Sequence, residues 1–207
     1  MSPSSSFDSH DAILAATRHW LTRAVIGLNL CPFAKAVHVK NQIRYAISEA
    51  TDLEGVLIDL EVELKTLVEA DPAEIDTTLL IFPQALADFL EYNDCLFFAD
   101  RMLKQLRLAG ELQIASFHPQ YQFEGSEADD IENYTNRAPY PVLHLLREAS
   151  IERAVEAFPD AEAIYERNQE TLRRLGLAGW EKWMSEPAGE CMPNLPQTSR
   201  KSAVNGE

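Results

Sequence analysis

The feature that most constrains the fold is a short, uninterrupted apolar run at residues 77–82 (TTLLIF). Such a run is typical of a strand that is buried on both faces of a sheet. Amphipathic helical patterns flank it, over residues 53–68 and 86–108. Two further strands are predicted at Ile43–Ile47 and Leu112–Phe117, so strands and helices alternate along this part of the chain.

Strands that alternate with helices of this length usually pair in parallel through right-handed crossovers. We therefore predict an α/β fold with a small, mainly parallel sheet of three to four strands flanked by helices. Residues 37–39 are a candidate edge strand. A helix is predicted over residues 8–27, and a helical C-terminal part over residues 142–158, 161–175 and 177–184.

The chain of 207 residues has the length of one ordinary domain with a sizeable core. We predict a disordered leader at residues 1–7, a single α/β domain at residues 8–184, and a disordered tail at residues 185–207. The tail is predicted from its proline, glycine and serine content.

The chain is acidic, with a formal net charge of −15. This charge repels phosphate backbones and anionic membranes, so we expect no nucleic-acid partner and no membrane partner. Membrane-helix and signal-peptide patterns are absent. The cysteines Cys31, Cys95 and Cys191 include no CxxC pair, which favours a soluble protein in a reducing cytoplasm. These features leave the oligomeric state open.

A long segment without helical or strand period follows the third predicted strand, over residues 118–141. Segments of this length are uncommon in compact domains unless they have a function. This segment begins at the carboxyl end of a predicted parallel strand, and α/β sheets bind ligands at that end of their strands. We therefore predict that the working surface lies within residues 117–148.

Several side chains in this segment suit catalysis on a small anionic metabolite. His118 is predicted to act as a general acid or base, with His144 as a second catalytic candidate. Arg137 offers a planar fork that suits a carboxylate or phosphate. Asn136 and Tyr121 are candidate substrate contacts, and the aromatic residues Tyr121, Phe123, Tyr134 and Tyr140 could wall a pocket. These features favour an enzyme without assigning its class.

A divalent metal is an alternative use of the same segment. His118, Asp130 (or Asp129) and His144 form a two-histidine, one-carboxylate set, and Glu148 would share a helical face with His144. No HExxH motif supports this set. A structural interpretation also stays open, because Asp and Asn often shape loops, Arg137 could pair within the protein, and His144 could belong to the core.

A second candidate site lies in the run CPFAK at residues 31–35. A thiol at the start of a helix has a lowered pKa, and Lys35 would lower it further, so Cys31 is a candidate catalytic residue and Lys35 a candidate substrate contact. The run resembles the Cys-Pro-Phe turn of glutaredoxins. A helix rather than a strand precedes Cys31, however, and a second cysteine is missing. Cys31 is otherwise a small buried residue in a turn.

Three strings carry a wider resemblance, at residues 19–35 (HWLTRAVIGLNLCPFAK), 77–94 (TTLLIFPQALADFLEYND) and 115–153 (ASFHPQYQFEGSEADDIENYTNRAPYPVLHLLREASIER). They resemble an uncharacterised, mostly bacterial family that is defined only as a domain of unknown function. The resemblance extends over about residues 20–180. It implies one intact domain and no particular activity. Three functions therefore stay open: a small-molecule enzyme, a non-catalytic module that binds a metabolite or a protein, and a monothiol redox protein that uses Cys31.

Overall fold

The computed structural model describes residues 8–156 and 163–187, so the predicted leader and all but the start of the predicted tail lie outside the described residues. One sheet contains β1 (Ile43–Ile47), β2 (Thr77–Ile81), β3 (Leu112–Phe117) and β4 (Val142–Arg147). The helices are α1 (His10–Trp20), which a π-helical turn (Leu21–Ile26) continues, α2 (Ala34–Val39), α3 (Leu53–Glu69), α4 (Phe89–Gln105), α5 (Glu148–Glu156) and α6 (Ile164–Ser185).

The sheet is mixed, with the strand order β1-β2-β4-β3. Only β1 and β2 pair in parallel, whereas β4 is antiparallel to both β2 and β3. The predicted mainly parallel sheet was wrong because residues 142–147 form a strand where a helix was predicted. Because β4 opposes both neighbours, β1, β2 and β3 still run in one direction, and their carboxyl ends meet at one edge of the sheet.

Most other helices and strands are close to the predictions. The first and third strands match to the residue, and α3 and α4 differ by a few residues at their ends. Side chains fix the starts of both helices, since Asp52 accepts a hydrogen bond from the backbone N–H of Gly55, and Asp88 accepts from Leu90 and Glu91. The candidate edge strand at residues 37–39 is wrong, because these residues end α2.

The C-terminal part is helical from Glu148 onwards within the described residues. The two predicted helices at residues 161–175 and 177–184 correspond to the single helix α6. The helix is kinked at Gly176, which has a positive φ of 64°. Glycine adopts this backbone conformation without a steric penalty, and it therefore marks the boundary that the sequence pattern predicted.

The sheet is covered by helices on both faces. Leu80, Leu143 and Leu145 pack against α3 and α4 on one face. Leu79 and Val142 pack against α1, the π-helical turn and α6 on the other face. Among the described helices, none is both long enough and apolar enough to cross a bilayer.

Candidate functional site

The segment between β3 and β4 lies at the sheet edge where β1, β2 and β3 end. Its two ends are joined by hydrogen bonds: the backbone N–H of His118 donates to the carbonyl of Asn136 at 3.2 Å, and Asn136 Nδ2 donates to the carbonyl of Ser116 at 3.0 Å. A short 3-10 helix (Ile131–Thr135) lies within the segment. Asn136, a predicted substrate contact, therefore closes the base of the loop.

His118 is fully buried below this loop, with both ring nitrogens in hydrogen bonds. Nδ1 accepts from the backbone N–H of Gln120 at 3.0 Å, so Nε2 carries the proton and donates to the carbonyl of Leu86 at 2.9 Å. The ring packs between Phe89 and Tyr92, and burial lowers its pKa. This geometry gives His118 a structural role, because it fastens the end of β3 to the loop before α4.

The guanidinium of Arg137 binds the loop from inside. Nε donates to the carbonyl of Tyr121 at 3.2 Å, and Nη2 donates to the carbonyl of Ala128 at 2.6 Å. The guanidinium carbon also lies 4.5 Å from the ring centroid of Tyr134. The anion-clamp hypothesis needs these donors for a ligand, whereas the protein uses them to hold its own backbone.

Asn133, which was not among the predicted site residues, is the central residue of the loop. It is fully buried, and its Oδ1 accepts from the backbone N–H of Phe123 at 3.0 Å and from Ser126 Oγ at 2.8 Å. Its Nδ2 donates to the carbonyl of Glu127 at 2.8 Å. Asp130 adds a turn, since Oδ2 accepts from the backbone N–H of Glu127 at 2.9 Å. Asn133, Asp130 and Arg137 thus bind the backbone of the loop and hold it in this conformation.

His144 lies on the opposite face of the sheet from His118. Its ring packs 6.1 Å from that of Phe117, and Nε2 is 2.7 Å from Thr77 Oγ1. The Thr77 hydroxyl donates to the carbonyl of Leu145 at 2.6 Å, so Nε2 of His144 must be the donor to Thr77. Burial lowers the pKa of His144 to about 4, so the ring is neutral near pH 7. Its Nδ1 has no hydrogen-bond partner among the described residues.

The predicted metal ligands are not brought together. His118 and His144 face opposite sides of the sheet, and Asp130 caps a turn in the loop. His144 and Glu148 share no helical face, because His144 belongs to β4 and α5 begins at Glu148. Within residues 8–156 and 163–187, no group of three or more His, Cys, Asp or Glu side chains is arranged to hold a metal ion.

Cys31 precedes α2 and packs against the core on the α1 side of the sheet. Burial raises the pKa of its thiol, and hydrogen bonds from the backbone of Phe33 and Ala34 oppose this effect without overcoming it. A raised pKa is the reverse of what an activated thiolate requires. Lys35 is exposed in the first turn of α2. No hydrogen bond or ion pair between described residues joins Cys31 or Lys35 to the β3–β4 loop.

Beside the exposed polar residues of the loop lies a row of aromatic rings. Four rings form a continuous row, which we call the aromatic ridge: Phe89 of α4, Tyr121 and Phe123 of the loop, and Tyr165 of α6. Successive ring centroids are 5.4, 5.0 and 5.9 Å apart. The first three side chains are partly buried, and Tyr165 is 52% exposed. Tyr121 is thus the one predicted substrate contact that lies on this surface.

Sequence reasoning identified Tyr121 and Phe123 as pocket walls, but it did not identify Phe89 or Tyr165. These two residues come from helices that the chain brings to the loop from distant positions, and no local pattern indicates such a contact. Tyr134 instead packs edge-on against Trp180 at 5.0 Å.

The ridge lies in an acidic neighbourhood. Glu124 and Glu127 are exposed on the loop, and Glu166 is exposed directly after Tyr165. The faces of aromatic rings carry negative electrostatic potential and attract cations. The arrangement therefore suits a positively charged group that stacks on a ring while carboxylates lie nearby.

Comparisons with known proteins place the chain in a family. Neither the curated proteins nor the solved structures gave a match. A family model described as "Protein of unknown function (DUF1415)" matches residues 12–182. The matched range runs from α1 into α6, and it includes the whole sheet and all four rings of the ridge. The chain therefore belongs to this family of proteins of unknown function, DUF1415.

Proposed function

We propose that the protein is a non-catalytic binding module that recognises a cationic segment of a partner protein at the aromatic ridge. One observation carries this proposal: the polar atoms of His118, Asn133 and Arg137 bind the protein's own backbone, while the partly buried rings of the loop continue in a row to the exposed ring of Tyr165. A catalytic loop would keep some polar groups for a substrate. This loop instead spends them on its own structure, and it leaves stacking surfaces for a ligand.

The rigidity of the loop supports a binding role. Arg137 and Asn133 fix the backbone on both sides of the ridge residues Tyr121 and Phe123. A binding surface that is already ordered loses little conformational entropy when its partner docks. The ridge is therefore prepared for recognition without a closing movement.

The charge of the protein favours a cationic partner. A chain with a net charge of −15 attracts positive segments over long range. A cation over an exposed ring contributes about 0.5–1 kcal/mol, so a partner needs several lysine or arginine side chains to bind well. The protein already uses this contact internally, since the guanidinium carbon of Arg18 lies 5.1 Å from the ring centroid of Tyr45.

An NMR titration with N-acetyl-arginine amide tests the proposal. Its matched control is N-acetyl-citrulline amide, which keeps the shape of arginine and lacks the charge. We expect the arginine compound alone to shift the ring resonances of Tyr121, Phe123 and Tyr165. Equal shifts with citrulline, or no shifts with arginine, would contradict the proposal.

A matched variant pair sharpens this experiment. Tyr165→Ala removes the most exposed ring of the ridge and should abolish most of the arginine-dependent shift at Phe123. Phe97→Ala removes an aromatic side chain of α4 that is 61% exposed outside the ridge. If both variants weaken the response equally, the ridge is not the binding surface.

A small-molecule enzyme is the second candidate, and His144 is the observation in its favour. Its Nε2–H is oriented by Thr77, which leaves the lone pair of Nδ1 available as a base. In this version His144 takes the role first predicted for His118, and Arg137 takes no part. The test is to incubate wild-type protein and His144→Gln with a cell metabolite extract and to compare both by mass spectrometry. A compound consumed only by the wild type would support catalysis, and identical profiles would argue against it.

A further inference from the structure

A second surface lies on the solvent side of α3 and α4, away from the β3–β4 loop. It is a shallow groove with a volume of about 370 Å³. Its lining is apolar at the floor and acidic at the rim: Leu53, Leu57, Ile58 and Met102, with Glu54 and Glu61. Nothing in the proposed function uses this groove.

Leu57 and Met102 of the groove pack against the edge of the core, whereas Leu53 and Ile58 are exposed. α3 buries one stripe against the sheet, which includes Val56, Leu60 and Leu64. Ile58 and Val62 lie on a different face of the same helix, and they are 57% and 54% exposed. A helix that only covers a sheet keeps one apolar stripe and a polar outer face. The second apolar stripe of α3 therefore indicates an interaction surface.

From this geometry we propose that the α3–α4 groove binds a cationic amphipathic helix of a partner protein. The apolar floor receives the apolar face of that helix, and the carboxylates of Glu54 and Glu61 receive its basic flanks. Lys65 shows that the rim accepts an ammonium group, since its Nζ lies 2.6 Å from Oε1 of Glu61. This exposed pair contributes little to stability, so a partner can displace it at a small cost.

Charge favours this occupant over a second copy of the chain. α3 carries Asp59 and Glu69 besides the two rim carboxylates, whereas Glu63 is buried and paired with Arg44, and Lys65 is the one cationic residue of the helix. Two copies that met through this face would bring their acidic rims together. A basic helix meets the same rim with attraction.

The length of the groove sets the register of the partner. The groove extends along α3 from Leu53 to Glu61, eight residues further on, which is about 12 Å at the rise of an α-helix. A helix docked alongside presents anchors at positions i, i+4 and i+7, a spacing of about 10 Å. Three apolar side chains of the partner therefore fit the groove, and lysine or arginine at the flanking positions faces the carboxylates.

Fluorescence anisotropy with three labelled 18-residue peptides tests this proposal. The first peptide carries leucine at i, i+4 and i+7 and lysine on its other face. The second replaces each lysine with glutamate, and the third scrambles the first. We expect binding of the first peptide only, with an affinity that falls as salt is raised. Equal binding of the scrambled peptide, or no binding of the first, would overturn the proposal.

Variants locate the binding surface. Ile58→Ser should weaken the binding of the first peptide at least about tenfold, and Glu54→Gln several-fold at low salt. Leu177→Ser is the matched control, because Leu177 is an equally exposed leucine on α6. Circular dichroism confirms that each variant is folded. If Leu177→Ser weakens binding as much as Ile58→Ser, the groove is not the site.

Two measurements separate this proposal from binding at the aromatic ridge and from dimerisation of the chain. Because the aromatic ridge is itself proposed to bind cations, the peptide titrations are made in the Tyr165→Ala background, where the difference between the first peptide and its scrambled control reports the groove alone, so the two proposals can fail independently. Light scattering gives the oligomeric state. A dimer that Ile58→Ser converts to a monomer would show that a second copy occupies the groove, and would overturn the proposal of a basic partner helix.

Discussion

The β3–β4 loop and the outer face of α3 differ in a way that reverses their appearance in the sequence. The loop is rich in histidine, arginine and asparagine, yet Arg137 and Asn133 point their polar groups inward to backbone partners. The outer face of α3 belongs to an ordinary amphipathic helix, yet it leaves Ile58 and Val62 in solvent. Polar density thus identifies a loop that has many hydrogen bonds to satisfy. Exposed apolar side chains that no other part of the protein covers are the better indicator of a binding surface.

The largest expected effect comes from breaking the hydrogen bonds inside the loop. Asn133→Ala removes three hydrogen bonds and leaves the backbone N–H of Phe123 without its acceptor. We expect the free energy of unfolding to fall by about 3 kcal/mol, because a buried polar group then lacks a partner. Urea denaturation followed by circular dichroism measures this change. A loss below about 0.5 kcal/mol would show that the loop is not held from inside.

The strands and helices show how much of the fold the sequence could predict. The pattern of strand, helix and strand was predicted correctly from Ile43 to Phe117, because α3 and α4 have a clear helical period and the apolar runs beside them are too short for a helix. β4 was missed because VLHLLR is a central strand with an apolar residue at almost every position. Such a run has no period that separates a strand from a buried helix, and only its neighbours β2 and β3 decide the outcome.

For a related reason, the sequence predicts where a candidate site lies but not what its residues do. The sequence located a special loop after β3, and it named His118, Arg137 and Tyr121 as its important residues. It could not show whether their polar atoms face a ligand or the backbone, because that depends on the carbonyls of Leu86 and Ala128. These acceptors carry no signature in the sequence.

His144 provides the next test, through the dependence of stability on pH. The pKa of His144 is lowered to about 4 by burial, so the folded state favours the neutral ring. The stabilising contribution is therefore complete above the unfolded pKa of about 6.5, and it is lost as the pH falls towards the folded value. We expect wild-type protein to lose about 2 kcal/mol more than His144→Gln between about pH 7.5 and pH 5. Parallel stability curves would contradict the burial of His144.

A smaller effect is expected from Arg137→Lys in the loop. Lysine keeps the charge but lacks the planar fork that reaches the carbonyls of Tyr121 and Ala128 together. We expect a loss of about 1 kcal/mol in the free energy of unfolding. If Arg137 instead clamps an anionic ligand, the variant will keep its stability, and the addition of phosphate will stabilise the wild type alone. Thermal unfolding with and without phosphate distinguishes the two cases.

The smallest effect on stability is expected on the α3 face, and it completes the comparison. Ile58→Ser replaces an exposed side chain, so the free energy of unfolding should change by less than about 0.5 kcal/mol. Asn133→Ala should behave in the opposite way, with a large loss of stability and, in the fraction that stays folded, an unchanged preference for the basic amphipathic peptide over its scrambled control. If Ile58→Ser destabilises the fold as Asn133→Ala does, Ile58 is a packing residue, and the α3 face has no surplus apolar surface for a partner to cover.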